Sequence, residues 1–208
     1  MARLLEVHPD NPQPHRLRQA AEMIQGGGIV VFPTDSCYAL ACRPGNTQSV
    51  ERMRRLKQLE KRHLYTLICK DLKDLAKFAQ VDNTAFRLLK SHTPGPYTFI
   101  LKASREVPNR LQTKKRKTIG IRVPDHPVAQ ALLAAVEGPL LSTTVELPGA
   151  DMPLNDAFEI DEAWGHSVDV ILDAGACGIA HTTILDLSGR DVEVVREGKG
   201  PIDGLFDG

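Results

Sequence analysis

The sequence lacks an excess of charge of either sign. Its 208 residues include 26 basic and 26 acidic side chains, which gives a formal net charge of zero at pH 7. The overall charge therefore provides no argument for a nucleic-acid partner, and such an argument must rest on local clusters. No apolar run approaches the length of a membrane span, and the N-terminal segment lacks the apolar core of a signal peptide. We therefore expect a cytoplasmic protein that has no membrane partner.

The sequence contains few cysteines, and none of them forms a C-x-x-C pair. Disulfide frameworks and zinc sites use cysteines at recognisable spacings, which this chain does not have. We therefore expect reduced thiols and no tightly bound protein metal. The cysteines are Cys37, Cys42, Cys69 and Cys177.

Common catalytic motifs are also absent. The chain has no Walker A lysine motif, no G-x-S-x-G elbow and no G-x-G-x-x-G loop, since GGGIVV at residues 26–31 opens a predicted strand and not a helix. Asp173 and Asp186 lie near predicted strand ends, where they could cap loops or help to hold Mg²⁺. No protein nucleophile is evident, so we predict no covalent catalytic residue. The sequence favours catalysis by positioning and charge stabilisation.

What the chain does contain is organised around residues 26–40, GGGIVVFPTDSCYAL. The apolar residues 29–32 predict a strand buried on both faces, and the proline that follows ends it because proline has no N–H to donate. Hydroxyls, a carboxylate and a phenol come next, in residues 34–38. Ligands often bind beyond strand ends in α/β folds, so this segment predicts the edge of a pocket. The alternative is an ordinary turn in which Thr34 and Asp35 bond to nearby backbone.

Apolar patterns along the chain predict alternating helices and strands in a single domain that spans residues 1–208. Hydrophobic residues make up 42% of the chain, enough for a packed core. Consecutive strands near the end indicate a mixed sheet, and residues 199–208 are expected to form a loose tail. The predicted fold is therefore α/β (α+β in some classifications), a twisted open mixed sheet flanked by helices. Helices are predicted at residues 15–25, 47–59, 72–79, 83–92, 126–136 and 156–164, and strands at 29–32, 66–69, 98–101, 118–123, 140–144, 168–173, 182–187 and 192–197.

Several predicted strand ends combine hydroxyl groups with a cation, a combination that suits a phosphate, a carboxylate or both. His126 follows one of them closely, and is either a ligand contact or a helix-start residue bonded to backbone. The residues at these strand ends are Thr34 and Tyr38, Thr118 and Arg122, Ser142 to Thr144, Thr182 and Thr183, and Arg196.

Residues 107–124 form the strongest charge cluster, because they include six basic residues and no acidic one. Within it, Lys114, Lys115, Arg116 and Lys117 predict a weak, sequence-independent site for double-stranded RNA that works through phosphate contacts. The alternative is a solvated basic loop.

Several segments resemble motifs of the YrdC/YciO family, and they come in the family's order over nearly the whole chain. The family's counterparts are a PTDTVYGL box, a basic K-x-R segment, a PGP-x-T strand entry, TIGVRxPxHP, an STSAN-x-SG loop, STVVDL and a closing R-x-G. Details such as HPDN at residues 8–11 are most similar to the YciO branch. The matching segments are PTDSCYAL (33–40), LKQLEKR (56–62), TPGPYTFIL (93–101), TIGIRVPDHPVAQALL (118–133), PLLSTTVELPG (139–149), TTILDL (182–187) and VVREG (194–198).

The resemblance implies a fold with a large, basic concave cavity. Enzymes of the family form threonylcarbamoyl-adenylate from L-threonine, bicarbonate and ATP with Mg²⁺, release pyrophosphate, and so supply the modification of an adenosine in tRNA. Members are also described as binding double-stranded RNA. The residues that the resemblance assigns to threonine are Thr34, Arg122, Ser142 and Thr182, with Tyr38 shaping the pocket. The residues that it assigns to ATP are Lys57, Arg62, Thr118, Thr144 and Arg196.

Two departures from the family's pattern concern the nucleotide. The loop asparagine of the family falls on Glu146, which places a carboxylate where an amide would meet phosphate. The arginine after Lys57 comes only at Arg62, so the K-x-R segment is stretched. The competing hypotheses are a synthase, an RNA-binding protein with little or no synthase activity, and a sensor of threonine or nucleotide. Pyrophosphate release that requires threonine and bicarbonate together would distinguish them.

Overall fold

A mixed β-sheet of eleven strands organises the fold, which a computed structural model describes for residues 1–59 and 65–203. The central strands are short, apolar and buried, which is typical of strands covered on both faces. The strands are β1 (Arg3–Glu6), β2 (Val30–Phe32), β3 (Ala39–Cys42), β4 (Thr66–Ile68), β5 (Ala79–Gln80), β6 (Tyr97–Ala103), β7 (Thr118–Arg122), β8 (Leu140–Thr144), β9 (Val170–Asp173), β10 (Thr183–Asp186) and β11 (Glu193–Arg196).

Helices connect many of these strands. Most of them begin at a residue whose side chain accepts a hydrogen bond from a backbone N–H of the first turn, as Asn46 does from Ser49 and Asp156 does from Phe158. None of the helices in the described ranges is both long and apolar enough to cross a membrane. The helices are α1 (Pro14–Gln25), α2 (Thr47–Leu56), α3 (Leu72–Phe78), α4 (Asn83–His92), α5 (Pro127–Val136) and α6 (Ala157–Trp164), and a 3-10 turn covers Asn109–Leu111.

The strand order is β1-β9-β2-β3-β8-β4-β7-β6-β10-β11, and β5 pairs with β6 off this path. Parallel and antiparallel pairs alternate irregularly: β4 is parallel to β7 and antiparallel to β8, whereas β6 is parallel to β10 and antiparallel to β7. The structure therefore confirms the predicted α/β fold, a single domain with an open mixed sheet flanked by helices.

Helices α1 and α5 cover one face of the sheet over about half of its width. Their apolar residues, such as Ile24 and Leu132, pack in one cluster with Val30, Phe32 and Ala41. Among the described residues, this cluster takes in side chains from β1, β2, β3, β4, β8 and β9 and none from β6, β7, β10 or β11. The second half of this face is therefore left open by the two helices.

Strand alternation determines which side chains lie on the open half. On β7, Ile119 and Ile121 belong to the core on the opposite face of the sheet. Because successive side chains point to opposite faces, Gly120 and Arg122 lie on the open face. Gly120 is paired with Thr66 of β4, and a Cβ at residue 120 would lie 3.3 Å from the Thr66 hydroxyl oxygen. The open half is thus polar in part, and its strands leave little space for a side chain at residue 120.

Three strands and two helix ends differ from the prediction. The sequence did not predict β1, β3 or β5, which are two to four residues long. Helix α2 ends at Leu56 and not at residue 59, because Gln58 adopts a left-handed backbone conformation with φ of 51°. Helix α3 ends one residue early because Ala79 joins β5. These elements depend on partners that are distant in sequence, which a local pattern does not reveal.

The first residues of the segment 199–208, which the sequence predicts to be a loose tail, make hydrogen bonds to the domain. The backbone N–H of Lys199 donates to the carbonyl of His181 at 2.8 Å, and the hydroxyl of Tyr97 donates to the carbonyl of Pro201 at 2.8 Å. These contacts fix the segment after β11 across the starts of β6 and β10. The last five residues lie outside the described part of the chain.

Candidate functional site

A cavity of about 250 Å³ lies on the open half of the sheet face. Its walls come from seven strands that are spread along the chain from β3 to β11, together with the turn after β2. More than half of its lining residues carry a hydroxyl group, and two carry a guanidinium group. The lining residues are Ser36, Cys37, Tyr38, Ala39, Thr66, Ile68, Thr98, Arg122, Ser142, Thr143, Thr144, Thr182, Ile184 and Arg196.

The cavity brings together most of the residues that the sequence assigned to small ligands. The strand-end pattern of hydroxyls and cations predicted their clustering, although it did not predict which strands would be neighbours. Three predicted residues do not line the cavity, and one more lies outside the described residues. Those that line it are Tyr38, Arg122, Ser142, Thr144, Thr182 and Arg196.

Arg122 is the buried cation of the cavity, with a side chain that is 8% exposed. It is the last residue of β7, and strand alternation turns it to the open face. Its Nη2 donates to the carboxylate of Asp35 and to the hydroxyl of Thr34, the second at 3.3 Å. A buried guanidinium without a counter-charge is strongly unfavourable, and the Asp35 carboxylate offsets that cost. The result is a buried ion pair at one end of the cavity.

Thr34 lies beneath Arg122, and it does not line the cavity. Its hydroxyl donates to the carbonyl of Cys37 at 2.6 Å and accepts the backbone N–H of Ser36 at 3.2 Å. These are the local backbone bonds of an ordinary turn, which was the alternative to a pocket edge. Asp35 does not share this pattern, because its carboxylate bonds to Arg122 on a distant strand. A direct contact between Thr34 and threonine stays a prediction.

The other residues assigned to threonine form the wall of the cavity. Ser142 donates to the carbonyl of Thr66 at 3.1 Å, and the hydroxyls of Thr182 and Thr98 are hydrogen-bonded at 2.9 Å. Tyr38 is fully buried, and burial raises the pKa of its phenol well above the usual value. The phenol donates to a backbone carbonyl at 2.8 Å, so Tyr38 is a rigid, neutral part of the wall.

The residues assigned to ATP are divided in the structure. Thr144 and Arg196 line the cavity. Lys57 lies just outside the lining, at the end of α2. Thr118 lies at the opposite end of β7 from Arg122, roughly 13 Å along an extended strand, and its hydroxyl bonds to Thr113 at 2.8 Å. The structure therefore does not bring Thr118 to the cavity wall. The remaining residue, Arg62, lies outside the described residues.

Glu146 lies beside Lys57 and His181 at this end of the cavity. The ammonium group of Lys57 donates to the backbone carbonyl of Glu146 at 2.8 Å, and the Glu146 carboxylate is 3.6 Å from Nε2 of His181. Burial lowers the pKa of Lys57, while the Glu146 carboxylate opposes that shift. Burial and the neighbouring Arg196 lower the pKa of His181, and the Glu146 carboxylate opposes that shift as well. The carboxylate thus partly neutralises the positive groups that surround it.

The basic segment lies apart from the cavity lining. Lys114, Lys115, Arg116 and Lys117 are all exposed, at the turn before β7. One of them has an acidic partner, because Arg116 is 3.1 Å from the carboxylate of Asp186 on β10. The exposed cations agree equally well with a phosphate-binding surface and with a solvated loop.

The remaining candidates have structural roles. Asp173 accepts the backbone N–H of Gly175, and Asp186 accepts the N–H and the hydroxyl of Ser188, so both cap loops. Nδ1 of His126 accepts the first-turn N–H of α5. Within residues 1–59 and 65–203, no group of three or more His, Cys, Asp or Glu side chains could hold a metal ion.

Sequence reasoning missed several lining residues, including Thr66 and Thr98. Both lie on predicted strands, and only the pairing of β4 and β6 with β7 brings them to the cavity. Lys199 was also missed, although its ammonium group reaches the backbone carbonyl of Asp35. Its position in the expected loose tail gave no sign of this contact.

The fold and the cavity agree with the comparison to known families. The family model named Sua5/yciO/yrdC, with the description "Telomere recombination", matches residues 22–198. The chain therefore belongs to the Sua5/YciO/YrdC family, which confirms the resemblance found in its motifs.

Two curated relatives show the range of this similarity. The uncharacterized protein YciO of Escherichia coli K12 is 48% identical over 202 residues, which cover 97% of this chain and 98% of that protein. A threonylcarbamoyl-AMP synthase of Halorhodospira halophila is 32% identical over 176 residues, which cover 84% of this chain and 91% of that enzyme.

Solved structures give the same picture. The crystal structure of E. coli YciO matches with a TM-score of 0.94 at 47% identity and covers 98% of both chains. The structure of P. abyssi Sua5 complexed with L-threonine matches with a TM-score of 0.87 at 24% identity, and the match covers 95% of this chain and 58% of that one. The second match shows likeness of fold alone.

Proposed function

We propose that this protein binds L-threonine and ATP and forms threonylcarbamoyl-AMP from L-threonine, bicarbonate and ATP, for the threonylcarbamoyl modification of tRNA. The observation that carries the proposal is the cavity with hydroxyl-bearing walls and two guanidinium groups, from Arg122 and Arg196. A guanidinium group suits both a carboxylate and a phosphate. The relative that is named threonylcarbamoyl-AMP synthase and is 32% identical to this chain supports the same activity.

The proposed reaction needs two charged ligands to be held side by side. Arg122 would take the carboxylate of threonine, while Arg196 and Lys57 would attract the triphosphate. The ammonium group of threonine first loses a proton to solvent. The free amine then forms a bond to the carbon of bicarbonate, a C–O bond of bicarbonate breaks, and water leaves, which gives the carbamate. A carbamate oxygen then attacks the α-phosphorus, the bond to the β,γ-diphosphate breaks, and pyrophosphate leaves. The protein contributes position and charge in this scheme, and no covalent intermediate with a side chain is required.

Mg²⁺ is proposed to enter with ATP. This ion prefers phosphate oxygens and water with one or two carboxylates, and it seldom occupies an all-protein cage. Glu146 is a carboxylate beside Lys57 and His181 at the proposed nucleotide end. The donor set of this end therefore fits an ion that is held mainly by the triphosphate, for which it would supply a single carboxylate.

Pyrophosphate release tests the proposal. The full chain is incubated with ATP and Mg²⁺, and we expect release only when L-threonine and bicarbonate are both present. Omission of either substrate and replacement of threonine by L-serine are the controls. Release that ignores threonine, or no release under any condition, would contradict the proposal and favour the RNA-binding or sensor alternatives.

A double-stranded RNA-binding protein with little or no synthase activity is the second candidate. The exposed cluster of Lys114, Lys115, Arg116 and Lys117 favours it. Binding that depends on phosphate contacts should weaken steeply as salt rises, and reversal of these charges should remove most of it. Filter binding of a mixed-sequence duplex RNA at several salt concentrations measures both effects. Affinity that responds to neither salt nor charge reversal would exclude this surface.

A further inference from the structure

The buried pair between Asp35 and Arg122 leaves one hydrogen-bonding atom unused on each partner. The side chains are 11% and 8% exposed, and they meet through Oδ1 of Asp35 and Nη2 of Arg122. Within the described part of the chain, Oδ2 of Asp35 and Nε of Arg122 are buried without a hydrogen-bond partner. One is an acceptor on an anion, and the other is a donor on a cation.

Such unused atoms are uncommon in folded proteins. More than nine in ten buried polar groups have a hydrogen-bond partner. A charged group without a partner lowers the stability of the fold more than a neutral group does. Two of them on a single ion pair beside a polar cavity therefore point to a ligand. Both atoms belong to an ion pair that reaches the cavity through Arg122, which is one of its lining residues.

We propose that Asp35 is a specificity-determining residue that receives the α-ammonium group of an amino acid, while Arg122 receives its carboxylate. This inference rests on the proposed function, which it deepens. The ion pair has no net charge, and neither has an amino-acid zwitterion. A ligand that carries both charges can satisfy both unused atoms, whereas a simple carboxylate or a phosphate would satisfy Arg122 and be repelled by Asp35.

The surroundings of Asp35 agree with a fixed receptor. Lys199 donates its ammonium group to the backbone carbonyl of Asp35, so the segment after β11 holds this residue from outside. The hydroxyl of Thr34 accepts from the same Nη2 of Arg122 that binds Asp35. His126 lies close enough for the Asp35 charge to oppose the lowering of its pKa by burial. The carboxylate is therefore held from several elements, and Arg122, which lines the cavity, connects it to the ligand space.

Calorimetry on the full chain without ATP tests this assignment. The three probes are L-threonine, 3-hydroxybutyrate, which lacks the amine, and L-threoninamide, which lacks the carboxylate. We expect the wild type to bind threonine about 10- to 100-fold more tightly than either analogue, since each analogue loses one charged contact. Asp35→Asn should lower threonine affinity by a similar factor and leave 3-hydroxybutyrate affinity equal or higher.

The matched control is Asp169→Asn. It removes a carboxylate that lies 3.0 Å from the guanidinium group of Arg52 and does not line the cavity. It should leave all three affinities unchanged. Equal affinity of the wild type for threonine and 3-hydroxybutyrate would overturn the inference, even if Asp35→Asn failed to fold. Unchanged threonine binding in a folded Asp35→Asn variant would overturn it as well. Selective threonine binding without pyrophosphate release would support the inference while contradicting only the proposed synthase activity.

Discussion

The two ends of the cavity are built differently. At one end, Arg122 is buried and paired with Asp35, and the bonds of Thr34 hold both in place. At the other end, Arg196 is exposed although its guanidinium donates to the carbonyl of Thr182, and Lys57 and Glu146 are only half-buried. Buried charge must be positioned in the folded chain, whereas exposed charge can adjust to its ligand. The comparison teaches that the first end is rigid and selective, and that the second is adaptable.

Arg122→Ala should have the largest effect, because it breaks the rigid end. Removing one partner of a buried ion pair leaves an uncompensated charge, here on Asp35, and we expect stability to fall by about 3–5 kcal/mol. Threonine binding should be lost with it. Urea denaturation gives the free energy of unfolding, and calorimetry gives the affinity.

The matched change is Arg52→Ala, which removes the partner of Asp169 on the surface. Those two side chains are 39% and 33% exposed, so the expected loss is only about 0–1 kcal/mol. Similar losses in the two variants would contradict the contrast between a buried and an exposed pair.

Thr34→Val should have the next largest effect, because it keeps the shape of the residue and removes one hydroxyl. That hydroxyl bonds to Cys37, Ser36 and Arg122, so the variant loses support for the turn and for the guanidinium group. We expect threonine affinity to fall by about 1–3 kcal/mol. Calorimetry with L-threonine measures the loss, with L-serine as the control ligand. Binding equal to the wild type would mean that Arg122 does not need this hydroxyl.

Glu146→Asn sharpens the comparison at the adaptable end. The change removes a carboxylate that repels the triphosphate and replaces it with an amide that can donate to a phosphate oxygen. Because the group is half-exposed, we expect a gain in ATP affinity of only about 1 kcal/mol. Threonine-dependent pyrophosphate release should rise in parallel. A fall in activity would instead indicate that Glu146 holds the metal ion or the local structure.

The smallest expected effect concerns pH. Burial lowers the pKa of His126 below its ordinary value of 6.5 in the folded chain, so the unfolded chain binds more protons just below pH 6.5. Stability should therefore fall as the pH drops through this range. His126→Asn keeps a capping acceptor for α5 without the titration, and its thermal midpoint should depend less on pH. His166→Asn, at an exposed position, serves as the control and should behave like the wild type.

The sequence predicted much of this site because strand periodicity is local. Arg122 lies near the end of one predicted strand, Ser142 begins the hydroxyl run that ends another, and Thr182 opens a third, so the pattern alone could place each of them near a strand end. The pairing of the strands could not be predicted, because β4 pairs with β7 although the two are more than fifty residues apart in the chain. The link between Asp35 and Arg122 depends on the same long-range order, and so does the contact of Lys199. The basic character of the cavity stays a prediction that rests on family resemblance.

Gly120 affects the size of the cavity without contributing to its charge or its hydrogen bonds. A Cβ at this position would lie 3.3 Å from the hydroxyl oxygen of Thr66 and 3.5 Å from the methyl carbon of Thr98, so a side chain there would press on two lining residues. A methyl group there would reduce the space for a ligand without removing any charged or hydrogen-bonding group. Ligand size and ligand chemistry are thus set by different residues, and sequence change could alter either one while the other stays constant.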